Sequence, residues 1–550
     1  MSEERNHWTG FALCVAGAAL LLLCGWLVPM HLRGVDAAVI EGAGANTTSL
    51  IDRGLALAHA SHRESARLIW EAATNQHVPG AGEIISALSV SGISNAPGEP
   101  ATEYVIRTEN RERLLEALAA SRSAAARELY RCRQLTNTVL FPPSSSAAGQ
   151  AFDAAVAVCG RLLEENGLTA GLRNQISSRA ASANGGGSSQ PMEEVLMDML
   201  SLGKRFSWDE LGVFVSQIDD VATLDQLATQ ARNAGEQLPV LFAAVDLSQK
   251  PAAVAGYLNN YSQSGLGDLG AALRCGAGGV DELTRRNQRF YATDFRRRVG
   301  GAAPCAVFYR GAKDLALREP WIALTVKWFF YISCGFLLAL AAHYVMPASV
   351  RLEEPLRVRG IHLAREMLFA LGFLLVVLLV SEPFLAQESQ KGQIAIRLQL
   401  PGVGAAAASA TANAKAKLMN PPSLLTLLLF FVLQALIYCA CLVKLAEIRR
   451  QKVVPRIRLK LLENEDHLFD AGLYLGFVGT IVSLILVSLG IIQPSLMAAY
   501  SSTSFGIIFC SIFKIFHLRP ARRQLLLQAE EEASATESPA TAAVSLATSA

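Results

Sequence analysis

Residues 467–493 and 495–517 are two apolar runs with only Pro494 between them, and each is long enough to cross a bilayer as a helix. A turn that tight predicts an antiparallel helical hairpin. A hairpin that served only as an anchor would be mostly Leu, Ile and Val on its lipid side. This one carries Gly472, Gly476, Gly479 and Thr480 on its first arm, and Ser501, Ser502, Thr503, Ser504 and Gly506 on its second. Small residues let helix backbones approach closely, and hydroxyls bond across helices or line a hydrated path.

The chain has 550 residues, 51% hydrophobic and only 17% charged, with a mean hydropathy of +0.30. That balance predicts an integral membrane protein with a substantial water-exposed part. A net charge of +2 gives no reason to expect a nucleic-acid partner. Four further apolar runs, at 8–30, 321–346, 363–386 and 421–445, complete a set of six expected spans. The first reads as an uncleaved anchor, because the preceding MSEERN is barely basic and no clear small-x-small cleavage site follows.

Charge in the loops orients these spans. The stretch KLAEIRRQKVVPRIRLK, residues 444–460, has seven Lys or Arg against one Glu and is expected on the cytoplasmic side. Arg351, Arg357, Arg359 and Arg365 mark another cytoplasmic loop, and Lys514 at the end of the last span with Arg519, Arg522 and Arg523 just after it has the same sense. Counting outward from these anchors, residues 1–7 and the C-terminus are inside and 33–319 outside. The expected architecture is therefore all-α: a six-span helical integral membrane protein with a large, mainly helical extracytoplasmic domain between spans one and two. A polar loop, 387–420, lies outside; a basic loop, 446–466, and a disordered tail, 518–550, lie inside.

Within the external part, 31–190 reads as helices between breaker-rich linkers, with periodic stretches at 50–76, 102–137 and 151–165. Ser207 with Glu210 reads as a capping box opening a helix through Ile218. In 191–320, two segments superpose at an offset of about 31 residues, pairing Leu227 with Leu258, Leu238 with Leu269 and Phe242 with Leu273, a spacing that suits stacked helix pairs. Cys132, Cys159, Cys275 and Cys305 fall in this region; if they are oxidised, the sequence-local pairs Cys132–Cys159 and Cys275–Cys305 are preferred over the other pairings, and four free thiols are the alternative. His59 and His62 lack further ligands nearby, so no metal site is expected. Asp219–Asp220 reads as a helix end or cap. No nucleophile elbow, phosphate-binding lysine loop or CxxC is present, so neither an enzyme nor a cofactor is expected.

Ionisable groups in spans are costly and therefore informative. Lys327, His343, Glu382 and Glu447 fall near span ends, where they are expected to snorkel, and Asp470 and Lys514 near the cytoplasmic ends of the hairpin arms. No carboxylate lies at mid-depth, so a proton path would need a partner's acid.

The stretch LGFVGTIVSLI, residues 475–485, resembles the L-G-x-x-G-T-[VI] segment of the MotA/TolQ/ExbB proton-channel family. AAYSSTSFGIIFCSIF, residues 498–513, resembles that family's last span, in which a threonine precedes a glycine by three positions, here Thr503 and Gly506. The resemblance covers about 60 residues. The family's sizeable cytoplasmic helical region before the hairpin has no counterpart here, where about 24 residues separate spans four and five. It implies that Thr480 and Thr503 are path-facing hydroxyls and that Gly476, Gly479 and Gly506 serve close packing. It also implies a homo-oligomer, a pentamer in the family, around single-span partners of the ExbD/TolR/MotB kind that supply an aspartate. Counted from Pro494 at ~1.5 Å per residue, the two hydroxyls differ in depth by roughly 7–8 Å.

Two functional expectations follow. The first is a divergent MotA/TolQ/ExbB-like subunit of a bacterial inner membrane, with residues 33–319 periplasmic and contacting envelope components. It forms the wall of a proton path that energises its partner. The alternative is a membrane-anchored structural or sensory protein whose external helices bind partners without ion transport. In both cases membrane lipid is a partner and nucleic acid is not.

Overall fold

The structure, a computed structural model, describes residues 2–90, 98–107, 110–134, 146–345, 359–384, 421–451, 453–488 and 496–531. The expected outer loop 387–420, Arg351 and Arg357, the hairpin turn at Pro494 and the end of the tail from 532 lie outside the described residues. The protein is mostly helical, with almost no sheet. It divides into two units, residues 34–318 and residues 1–33 together with 319–550.

In the 34–318 unit, short helices follow one another wherever a side chain restarts the backbone ladder. The stretch 50–76 is two helices, Leu50–His59 and Arg63–Asn75, not one. Ser61 between them takes a φ of 68°, a left-handed conformation that ends the first helix. The stretch 102–137 likewise holds Ala101–Arg107, Asn110–Ala119 and Ala124–Arg133. The third begins anew because the Ser123 hydroxyl accepts from the Ala126 N–H. Ser207 and Glu210 form the expected capping box, opening Trp208–Val215, and Asp220 caps Val221–Ala234. The faint repeat coincides with two helix pairs, Val221–Ala234 with Leu238–Ser248 and Pro251–Asn260 with Gly265–Leu273. Of its six matched positions, Leu227, Leu258, Leu269, Phe242 and Leu273 are buried and Leu238 is half-buried.

Helix Leu238–Ser248 is the centre of this unit, buried at every position from Pro239 onward. The rings of Phe206, Phe214 and Phe242 pack around it with centroids 5.0–6.1 Å apart. Its one charge, Asp246, takes two hydrogen bonds of 2.7 Å from Arg53 and one of 3.0 Å from Gln217. A two-stranded parallel ladder, Gly34–Asp36 with Arg289–Tyr291, ties the start of the unit to its later part. Asp36 also pairs with buried Arg296 at 2.6 Å.

The other unit is built of long apolar helices. Among the described residues, four helices are long and apolar enough to cross a membrane: Trp8–Leu27, Pro320–Ala342, Leu427–Arg450 and Tyr500–Glu531. Two shorter apolar helices are Glu366–Ser381 and Ala471–Ile481. Large apolar side chains such as Leu13, Phe329, Val380, Phe477 and Ile508 are exposed, which suits hydrocarbon surroundings. Gly17 lies against Leu337 and Gly25 against Tyr331, so the first helix runs antiparallel to Pro320–Val345. Tyr331 packs in turn with Leu374 and Leu378 of Arg359–Ser381. Phe431 meets Phe505 and Tyr438 meets Phe513, so Pro421–Arg450 runs in the same direction as Leu496–Phe513.

Two expectations about the basic end of this unit are corrected. The basic segment is largely helical, carried by Pro421–Arg450 and Pro455–Asn464. The tail does not become irregular at 518; helix continues through Glu531 after a π-helical turn at Lys514–Leu518. Ala521 and Leu525, one helical turn apart, bury against Leu462, Phe469 and Phe513, and that apolar stripe sustains the helix.

Candidate functional site

The arms of the hairpin are Ala471–Ser488 and Leu496–Phe513. Their closest approach is made by the glycines that the sequence marks out. A Cβ on Gly476 would lie 2.8 Å from the Ser502 carbonyl oxygen, and one on Gly479 would collide with the Ser502 hydroxyl. A Cβ on Gly506 would lie 2.7 Å from the Gly472 carbonyl oxygen. Real side chains do not tolerate such distances, so the absence of a Cβ is what lets the arms meet.

This contact brings the two threonines together. Thr480 Oγ1 and Thr503 Oγ1 are 2.6 Å apart and each lies 3.2 Å from the Gly476 carbonyl oxygen, so one hydroxyl donates to the other, which in turn donates to the carbonyl. Thr480 is buried and Thr503 half-buried. The depth offset expected from counting to Pro494 is therefore absent. The 2.6 Å contact itself puts the two hydroxyls level.

Below the threonine pair, the second arm presents Gly506, Cys510 and Lys514 to the first at helical spacing. Cys510 Sγ donates to the Phe469 carbonyl and to Asp470 Oδ1, both at 3.4 Å. Lys514 Nζ pairs with Asp470 Oδ1 at 2.8 Å. A third helix joins here through Gln434, whose Nε2 donates to the Gly472 carbonyl at 3.0 Å. Gln434 is only 1% exposed. Reading the sequence for ionisable groups missed it, although a lone amide inside LLLFFVLQALIYCACL was a visible signal.

A second polar cluster was also missed. Lys327 and Glu382 do not snorkel; both are buried and pair at 3.3 Å. Lys327 Nζ also donates to the Met30 carbonyl at 2.5 Å, and the Leu32 N–H donates to Glu382 Oε2 at 2.8 Å. His31, fully buried, lies 3.6 Å from Glu382. Three apolar helices thus share one ionic knot, which is how such charges are retained away from water. Glu447 pairs with Lys444 at 3.3 Å. The side chain of His343 lies outside the described residues.

In the 34–318 unit, Cys132, Cys159, Cys275 and Cys305 are all free, and neither preferred bridge is formed. Cys132 Sγ instead donates to the Ala180 carbonyl at 3.2 Å, and Cys159 is wholly buried within Ala147–Glu164. Burial pushes the Cys159 thiol up to about 12. His62 contacts Asp209 at 2.6 Å, and Asp209 also accepts from the Ser65 N–H and hydroxyl. Among the described residues, no group of three His, Cys, Asp or Glu side chains could hold a metal ion.

No family model, no curated protein and no solved structure matches this chain.

Proposed function

We propose that the hairpin forms the wall of a proton path in a membrane assembly similar to the MotA/TolQ/ExbB family, and that a partner's single span supplies the proton-carrying aspartate. The observation that carries this reading is the Thr480–Thr503 contact. Two hydroxyls meet at one depth, over one carbonyl, on arms held close by glycine. Hydroxyls so placed hold and pass hydrogen bonds in a low-dielectric seam without carrying charge themselves. A carboxylate across from them would supply the titratable group.

In this reading the chain spans a bacterial inner membrane six times, with both termini cytoplasmic and residues 33–319 periplasmic. The antiparallel pairing of the first two apolar helices and of the hairpin arms supports that alternation. So does the shared direction of Pro421–Arg450 and Leu496–Phe513, which are the fourth and sixth spans. The chain would assemble as a homo-oligomer, a pentamer by family resemblance, with the periplasmic helices meeting envelope components.

The second reading, a membrane-anchored structural or sensory protein, draws on the same contact. Hydroxyls that satisfy one another and a backbone carbonyl also serve as packing glue. Replacing Thr480 and Thr503 together by Val separates the two. Loss of proton-dependent function with the assembly intact favours the path; unchanged function removes it.

A further inference from the structure

The seam between the hairpin arms continues past the threonine pair toward Asp470 and Lys514, and one polar atom along it has no hydrogen-bond partner among the described residues. Gln434 spends its Nε2 on the Gly472 carbonyl, but its Oε1 is buried with no hydrogen-bonding group of the described residues against it. A buried amide oxygen without a donor is costly, so such groups are normally satisfied by ordered water where there is room. Here there is room. A cavity lined by Gln434, Tyr438, Cys441, Gly472, Phe509 and Cys510 offers about 10 Å³ for the centre of a water molecule, close to the space one water needs. Tyr438 and Cys510 also line this cavity. Tyr438 Oη also bonds His517 Nε2 at 2.9 Å, and Cys510 Sγ also bonds Asp470.

We propose that this cavity binds a single water molecule, held by Gln434 Oε1, and that it is the station between the threonine pair and the Asp470–Lys514 pair. The proposal rests on the proton-path reading of the hairpin. The Gly472 carbonyl that Gln434 engages lies one helical turn, ~5.4 Å, from the Gly476 carbonyl beneath the threonines. It lies two residues from Asp470. A proton taken up by this water from the threonine side is matched by one released toward the Asp470 carboxylate, and the water is left unchanged. Gln434 is a positioning residue: it carries no proton and orients the molecule that does.

The test uses heavy water as the probe on the full chain in lipid bilayers, read by the infrared S–H stretch. The Cys510 band is assigned by its loss in Cys510→Ala, and that of buried Cys334 by its loss in Cys334→Ala. Cys510 is expected to exchange S–H for S–D faster than Cys334, which is buried and does not line this cavity. Gln434→Leu, which keeps bulk but removes the acceptor, should slow Cys510 exchange about tenfold, the effect of one lost hydrogen bond on the water's occupancy. Exchange at Cys510 no faster than at Cys334, or unaltered in Gln434→Leu, overturns the site. If Gln434→Leu fails to assemble, the comparison of the two thiols in the unmodified chain decides alone. Exchange needs neither partner nor proton current. The site therefore stands or falls separately from the proton-path reading, which the threonine variants test.

Discussion

Thr480 Oγ1 and Thr503 Oγ1 sit 2.6 Å apart, and each lies 3.2 Å from the Gly476 carbonyl oxygen. The three atoms form one closed set, so the two hydroxyls are energetically coupled. Thr480→Val and Thr503→Val keep shape and remove one hydroxyl each. Each single change is expected to destabilise the full chain in detergent by about 1 kcal/mol, the net worth of a typical hydrogen bond. The double change should cost less than the two singles combined, because the second removal has less left to break. Thermal unfolding of the four proteins measures the coupling. Strict additivity would mean that the hydroxyls do not share a bond.

Glycine at 476 is a steric requirement. Gly476→Ala places a methyl group 2.8 Å from the Ser502 carbonyl oxygen, and only movement of an arm relieves that contact. The expected cost is about 1–3 kcal/mol. It should be accompanied by loss of the threonine contact and hence of any proton-linked activity. Gly82→Ala is the control, since a Cβ there meets nothing within 4 Å. Equal thermal midpoints for the two variants would contradict the close approach of the arms.

The Lys327–Glu382 pair predicts an asymmetry between single and double replacements. Lys327→Met or Glu382→Gln alone leaves an uncompensated polar or charged group among buried helices and should cost about 3–5 kcal/mol. The double change Lys327→Met with Glu382→Leu removes the charge problem and should recover most of that loss. Yield and thermal midpoint in detergent report it. A double variant as damaged as the worse single would show that the knot does more than neutralise itself.

Stability should also depend on pH through Glu210. Burial pushes this carboxyl up from 4.5 to about 7, outweighing the hydrogen bond it accepts from the Ser207 N–H. The folded state therefore holds a proton between those values that the unfolded chain has already released. The resulting stabilisation is complete below about pH 4.5 and is lost as pH rises through about 7, a change of order 3 kcal/mol at most. Asp198, raised by burial from 3.8 to about 6, acts in the same sense. Glu210→Gln preserves a capping-box acceptor but has no proton to lose. Its thermal midpoint, followed by tryptophan fluorescence, should fall less between about pH 5 and about pH 8 than that of the unmodified chain. Identical pH profiles would exclude Glu210 as the cause.

What could be read from the sequence was what local spacing encodes. The glycines and threonines that the family resemblance singles out lie within a few turns of one another, and they are the residues at which the two arms meet. The Ser207–Glu210 box and the Asp220 cap were legible for the same reason. The level placement of the threonines was not, because it depends on how the glycine faces of the two arms pack together and not on distance from Pro494. The knot of His31, Lys327 and Glu382 joins residues up to 351 positions apart, and no window along the chain could connect them. Helix restarts at Ser61 and Ser123 were hidden because alanine-rich, charged sequence looks helical straight through a single serine. Ala521 and Leu525 were read as tail because the surfaces they cover, around Leu462 and Phe469, are formed by other helices.

The central claim is that this hairpin is one wall of a path completed by another protein's carboxylate. Purification of the full chain from its native membrane in mild detergent, with every co-purifying protein identified by mass spectrometry, tests it most directly. The account predicts recovery of a small single-span protein bearing an aspartate within its span, in an oligomer that survives Thr480→Val with Thr503→Val. Recovery of this chain with lipid alone, and with no such protein, would contradict it.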